Sequence, residues 1–321
     1  MLTVMLGLSG ALVYGFADFL GGLASRRVRP VTVAAIAAAV GIAPLLVGLV
    51  VVGARFSWQA TLWGAVGGVC GGVGVLLLYA ALAIGPMSVL SPLTAVFSAV
   101  VPVVVALVLG TVLSPVAIGA LVVAVVAVVL VASVRDAGGA RLTARGVLAA
   151  AVAGCGFGGI VLAFNETPAD SGVAPLLVAR VLQALLLGAA AVLSAAAARP
   201  ARSARPARSA RPARPGGSVV VASSAIADGV AGSTTRGGSV RRLTLVIVAC
   251  GVFDAMANVF IQAGLHSSTD PVTLPVISVL NALYPIGTVV LAGAVLRERL
   301  TVLQGLGIGL ALAASVALAL S

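Results

Sequence analysis

Two stretches of the sequence decide the fold: residues 89–113, VLSPLTAVFSAVVPVVVALVLGTVL, and residues 272–296, VTLPVISVLNALYPIGTVVLAGAVL. Both are apolar over a length that can cross a membrane, for which about 20 residues suffice. A shift of 183 residues places Pro92 on Pro275 and Pro102 on Pro285. These are the only prolines in the two stretches, so the match predicts that the chain consists of two related halves.

The composition indicates the environment of the chain. Of its 321 residues, 61% are hydrophobic and 8% are charged, and the mean hydropathy is +1.24. Soluble domains carry about 25% charged residues, so we expect an integral membrane protein. Aromatic residues make up 4% of the chain and alternating strands are absent, which disfavours an outer-membrane barrel. All 19 basic residues are arginine; without lysine, a Walker A loop and Schiff-base chemistry are excluded.

Apolar windows predict an all-α membrane protein with ten transmembrane helices. They lie at about 3–24, 32–53, 61–84, 88–109, 115–134, 144–165, 174–198, 243–265, 272–294 and 301–320. Residues 1–136 form the first repeat of five helices, and residues 140–198 with 242–321 form the second, with a linker at 199–241. Because five is odd, the two repeats must be inverted across the membrane, which is the plan of many secondary transporters.

The linker differs in composition from the rest of the chain. It contains RPARSARPARSARPARPGG at 199–217, with arginine at every third position from Arg199 to Arg214. A polyproline II helix has three residues per turn, so an extended chain would align these arginines as one stripe. The segment is therefore either an arm that binds anionic lipid headgroups or a passive disordered linker. Loop arginines cluster on its side of the membrane, which predicts a cytoplasmic linker and external termini.

The repeated segments resemble a known family. Residues 81–110, ALAIGPMSVLSPLTAVFSAVVPVVVALVLG, and 276–318, VISVLNALYPIGTVVLAGAVLRERLTVLQGLGIGLALAASVAL, resemble the drug/metabolite transporter superfamily in its EamA-type, ten-helix form. The resemblance implies an alternating-access transporter with both termini in the cytoplasm, opposite to the arginine count. The family usually has a glutamate at the turns after the fourth and ninth helices. Here Glu298 follows the ninth helix, whereas Pro115 stands at the first-half position.

Polar residues recur on one line of the eighth predicted span. Asp254, Asn258 and Gln262 are four residues apart within GVFDAMANVFIQAG, residues 251–264. Steps of four residues keep them on one helix face, and an acid at mid-membrane is a functional-site hypothesis by default. The line is either the wall of a substrate cavity, with Asp254 as its proton or cation site, or a set of hydrogen bonds between helices.

Two further charged residues lie inside predicted spans. Asp18, one turn after Tyr14 in the first span, either resembles in kind the first-helix acid of small multidrug resistance transporters, which exchanges protons for cations, or is a paired or protonated acid near the interface. Arg180 in the seventh span lies at a different membrane depth from Asp18, so we do not expect these two to pair. We expect Arg180 to pair with Glu166 or Asp254, or to bind a substrate carboxylate.

The repeated prolines predict where helices are interrupted. Pro92, Pro102, Pro275 and Pro285 each remove one backbone donor, and interrupted helices at matching positions point to a transporter's binding site. They act either in gating or as packing kinks. Asn281 lies between the second pair and could line that site. Glu298 is interpreted as a structural turn residue.

The sequence as a whole therefore predicts a secondary active transporter, not an enzyme, in the plasma membrane. It would export a small polar or amphipathic metabolite with proton coupling. The expected partners are that metabolite and membrane lipids; nucleic acid, a cofactor and a metal are not expected. The alternatives are a membrane scaffold or sensor that acts through the basic linker, and an intramembrane enzyme on lipid-linked substrates.

Overall fold

The computed structural model describes residues 1–51, 53–110, 143–197, 225–296 and 302–320, with isolated positions between 114 and 130. Apart from one isolated bridge between Ala54 and Gly172, these residues are helical or in turns. The helices are α1 Leu2–Ser25, α2 Pro30–Val51, α3 Trp58–Ile84, α4 Met87–Val108, α5 Ala144–Asn165, α6 Ala174–Ala197, α7 Ala225–Leu265, α8 Thr273–Asn281, α9 Tyr284–Leu291 and α10 Val302–Leu320.

Eight described segments are long and apolar enough to cross a membrane. They are α1 to α6, the Val240–Leu265 part of α7, and Thr273–Leu296, which contains α8, α9 and the π-helical turn Ala292–Leu296. Helices satisfy their backbone hydrogen bonds internally, as the hydrocarbon core requires. The described part of the chain is therefore helical, and the protein crosses the membrane several times.

The spans match the sequence windows at most ends. The predicted fifth span, 115–134, lies mostly outside the described residues, so α5 corresponds to the sixth window. The end of the predicted disordered linker, residues 225–241 of 199–241, is helical, because α7 begins at Ala225. The last proline before the eighth span is Pro215, so no proline prevents a helix from starting there.

The two ends of the bundle carry opposite charge. The arginine end holds Arg26, Arg27 and Arg29 between α1 and α2, Arg145 in the first turn of α5, and Arg241–Arg242 at the start of the membrane-spanning part of α7. The acidic end holds Glu166, Asp170 and Asp270, with Arg55 paired to Asp170 at 3.0 Å.

Helices pack in matching pairs. The contact between α3 and α5 corresponds to the contact between α7 and α1. In the same way, the packing of α4 on α5 corresponds to the packing of α8 and α9 on α1. Likewise α3 packs on α6 as α7 packs on α2. Two of these crossings use glycine at close approach: a Cβ on Gly68 would lie 2.9 Å from the Ala179 carbonyl oxygen, and one on Gly251 would overlap the Ala37 carbonyl oxygen. Small residues let membrane helices approach this closely.

Buried apolar side chains form a cluster toward each end of the bundle. The cluster at the arginine end includes Phe19, Leu78, Leu82, Met87 and Leu90. The cluster at the acidic end includes Leu45, Phe164, Leu176, Ile261 and Ile277. The buried polar side chains described next lie where the two clusters meet.

Candidate functional site

The polar line of α7 faces the interior of the bundle. Asp254, Asn258 and Gln262 are 6%, 7% and 5% exposed. Asn258 Nδ2 donates to the Asp254 carbonyl oxygen at 2.8 Å, and the Asn258 side chain also hydrogen-bonds the Tyr14 hydroxyl. Residues three and four apart share one helix face, so the sequence periodicity correctly predicts that the three side chains point the same way.

Arg180 of α6 forms a buried ion pair with Asp254. Of the two carboxylate partners considered from the sequence, the structure has Asp254, whereas Glu166 is exposed. At a rise of 1.5 Å per residue, the backbone of Arg180 lies about 9 Å from the acidic end and that of Asp254 about 16 Å from it. The length of an arginine side chain spans this difference in depth. Arg180 Nη1 also donates to Gln183 Oε1 at 3.0 Å, one turn further along α6.

Two glycines leave room for these α6 side chains. A Cβ on Gly41 of α2 would lie 3.3 Å from Arg180 Nε, and one on Gly71 of α3 would overlap the Gln183 side-chain amide. Fixed donors in a dry interior act more strongly on a charged ligand than they would in water. The Arg180 guanidinium, held by Asp254 and Gln183, is therefore a preorganised cation at mid-membrane.

Asp18 lies in a second part of the site. Its side chain is 5% exposed and makes no hydrogen bond or ion pair with any described residue, although it interacts electrostatically with Asp254. It lines a cavity of about 20 Å³ together with Tyr14, Asn281, Tyr284 and apolar groups of α5 and α7. Asn281 Oδ1 is buried there and has no hydrogen-bond partner among the residues that the structure describes. An unpaired buried acceptor in the wall of a cavity with room for about one water molecule indicates that the cavity takes a small ligand or a water molecule.

The ninth predicted span is interrupted beside this cavity. α8 ends at Asn281 and α9 begins at Tyr284, with Pro285 in its first turn and Pro275 in the first turn of α8. A proline in a first turn interrupts no intrahelical hydrogen bond. The Tyr284 hydroxyl donates to the Ser91 carbonyl oxygen of α4 at 3.3 Å.

Pro92 and Pro102 lie within one continuous helix, which agrees with the packing kinks that the sequence left open beside a gating role. α4 runs without a break from Met87 to Val108 through both prolines. Glycines of α5 pack against this part of α4: a Cβ on Gly154 would overlap the Thr94 carbonyl oxygen, and one on Gly158 would lie 3.1 Å from both the Ser98 carbonyl oxygen and Pro102 Cδ. Neighbouring helices help membrane helices to accommodate proline, and this close packing holds α4 continuous.

A larger cavity opens at the acidic end. It measures about 750 Å³, and its lining includes Trp63, Glu166, Thr167, His266 and Asp270. The Thr167 hydroxyl donates to the Phe164 carbonyl oxygen at 2.7 Å, accepts from Gln262 Nε2 at 2.9 Å, and contacts His266 Nε2 at 3.1 Å. We call this cavity the vestibule. Thr167 connects the vestibule with the polar line of α7.

Three residues of the site were not found from the sequence. Gln183 stands one turn from Arg180 within an apolar span, and this spacing could have indicated it. Tyr284 directly precedes Pro285, and Thr167 follows the end of α5. Conversely, Glu298 and the arginines of 199–214 lie outside the described residues, so the structure places neither.

No family model matches the chain, and no curated protein matches it. Among solved structures, the chain is similar to one described only as "Crystal structure of protein", with a TM-score of 0.65 and 16% sequence identity. The likeness covers 99% of this chain and 96% of that chain. At this identity it shows a shared fold over nearly the whole length and carries nothing about function.

Proposed function

We propose that the chain is a secondary active transporter that exports a small polar or amphipathic metabolite across the plasma membrane, with a proton as the coupling ion. One observation carries the proposal: three charged side chains, Asp18, Arg180 and Asp254, are buried between an open vestibule and an apolar cluster. Intramembrane charges are costly and mark substrate and ion pathways.

The position of the vestibule supports the proposal of alternating access. The vestibule brings water to Thr167 at the acidic end, whereas the apolar cluster that includes Leu82 and Met87 closes the arginine end. A cavity of 20 Å³ does not hold a metabolite, since ligand pockets measure about 300–1,000 Å³. Helices must therefore move apart around the mid-membrane site before a substrate binds and again when it leaves.

The packing supports an inverted-repeat architecture for this motion. Gly68 and Gly251 are separated by the same 183 residues as the repeated prolines, and they pack on Ala179 and Ala37 respectively. These features fit the ten-helix, EamA-type plan of the drug/metabolite transporter superfamily, to which we propose the chain belongs. Rocking of one repeat against the other would expose the site to each side in turn.

The ion pair supplies a coupling step. When Asp254 is ionised it holds Arg180; when Asp254 takes a proton, the attraction is lost and Arg180 is free for an electronegative group of the substrate. Because Asp254 and Asp18 interact electrostatically, a charge change at one carboxylate alters the energy of the other. We propose that the arginine end faces the cytoplasm, in agreement with the positive-inside rule.

Two-sided thiol labelling tests alternating access. Asn258→Cys, in a chain whose three native cysteines are replaced by alanine, is treated with a membrane-impermeant thiol reagent from either side. We expect labelling from both sides, because the buried position becomes wet in each state. Val248→Cys, on the lipid-facing side of the same helix, is the matched control and should label from neither side. Labelling of Asn258→Cys from one side only would contradict alternating access.

A further inference from the structure

The buried charges of the site do not balance. Arg180 and Asp254 neutralise each other, which leaves Asp18 without a counter-charge among the described residues. An uncompensated buried carboxylate is costly. The ionised site therefore requires one positive charge, and the inference drawn from this requirement rests on the proposed transport function.

The cavity beside Asp18 limits what can supply that charge. Its volume of about 20 Å³ has room for about one water molecule, so an organic substrate does not fit. A divalent ion would leave one excess positive charge. The occupant consistent with both limits is a single small monovalent cation.

The walls of this space on α1, α8 and α9 carry oxygen ligands, whereas its walls on α5 and α7 are apolar. The Asp18 carboxylate lines the cavity, and the unpartnered Asn281 Oδ1 lies in the same wall. Tyr14 and Tyr284 also line it, and a tyrosine hydroxyl keeps acceptor capacity when it donates a hydrogen bond. Hard cations prefer such oxygens.

The interrupted span adds a favourable field. α8 ends at Asn281, in the cavity wall, and a helix C-terminus carries partial negative charge. In secondary transporters the C-terminal ends of broken helices coordinate sodium ions or protons. The four observations agree on the sign, the charge and the size of the ligand.

We propose that this cavity is a sodium site in which Asp18 and Asn281 are the principal ligands and a proton on Asp18 competes with the ion. Other titratable groups surround Asp18 on every side: Tyr14 on its own helix, Tyr79 on α3, Cys250 and Asp254 on α7, and Tyr284 on α9. A fall in the pH of the medium is therefore expected to weaken sodium binding by protonating Asp18, which has no ion-pair or hydrogen-bond partner among the described residues.

The test measures sodium binding without any substrate. The purified full chain is unfolded thermally in sodium chloride and in choline chloride at equal ionic strength, at alkaline and mildly acidic pH. We expect sodium to raise the melting temperature at alkaline pH, with a smaller rise in acid. Asp18→Asn should abolish the difference between the salts, and Asn281→Ala should weaken the apparent sodium affinity by about tenfold. Asp170→Asn, on an exposed loop, is the matched control and should behave as wild type.

Three results would overturn the proposal: equal melting temperatures in the two salts for the wild type, a sodium effect that persists in Asp18→Asn, or one that is lost in Asp170→Asn. The melting temperature in choline shows whether each variant folds. If Asp18→Asn fails to fold, Asn281→Ala decides, because full sodium affinity in that variant also overturns the site. Sodium binding can fail while substrate still moves protons, so this failure differs from failure of the transport proposal.

Discussion

Removing one partner of the Arg180–Asp254 pair should destabilise the protein far more than removing both. The two side chains are 6% and 9% exposed. Breaking a buried pair from one side leaves a buried charge and costs about 3–5 kcal/mol, whereas replacing both partners is often neutral or stabilising. We therefore expect Arg180→Met and Asp254→Asn each to lower the free energy of unfolding by about that amount, and the double variant to lose much less than their sum.

The surface pair Arg55–Asp170 provides the matched control. Its side chains are 79% and 62% exposed, so the same cycle with Arg55→Met and Asp170→Asn should give a coupling energy of about 0.2–1 kcal/mol. The assay is reversible unfolding of the purified protein in detergent, with all variants measured together. If the coupling energy of the buried pair were no larger than that of the surface pair, the assignment of a desolvated ion pair at mid-membrane would be wrong.

Three other predictions concern the helix packing, the acidic end and the linker. Gly251→Ala should lower the melting temperature because its Cβ overlaps the Ala37 carbonyl oxygen, whereas Gly188→Ala, with nothing within 4 Å, should not; equal effects would contradict the close crossing. Burial lowers the pKa of His266, the only histidine, from its usual 6.5, so its contribution to stability is present above that pH and is lost as the pH falls. The free energy of unfolding should therefore decline below about pH 6.5, and the decline should be shallower in His266→Gln. Identical pH profiles for the two proteins would refute a role of His266. Deleting 199–217 should leave substrate flux unchanged in vesicles; loss of flux at normal expression would favour a protein that acts through its linker.

The sequence predicts the spans well because the requirement for apolar length is local. The windows 144–165 and 174–198 agree with α5 and α6 within one residue. The polar line of α7 was also predictable, since the spacing of Asp254, Asn258 and Gln262 depends only on helix geometry. The matched separation of Gly68 and Gly251 was likewise present in the sequence.

The partners of the polar residues depend on packing and were not predictable in the same way. Arg180 meets Asp254 because Gly41 of another helix leaves space for its side chain, which no local pattern records. The repeated prolines show the same limit. Pro102 and Pro285 occupy equivalent positions in sequence, yet α4 is continuous where Gly158 packs on it, and the corresponding span of the second half is broken.

The most direct test of the account is substrate-driven proton movement in proteoliposomes that contain the purified chain. A panel of amino acids, sugars and organic cations is added, and an internal dye reports the pH for wild type, Asp254→Asn and the exposed control Asp170→Asn. We expect one substrate class to move protons in the wild type and in Asp170→Asn, but not in Asp254→Asn. Unchanged proton movement in Asp254→Asn would contradict the proposed site, and no movement with any substrate in the wild type would contradict proton-coupled transport.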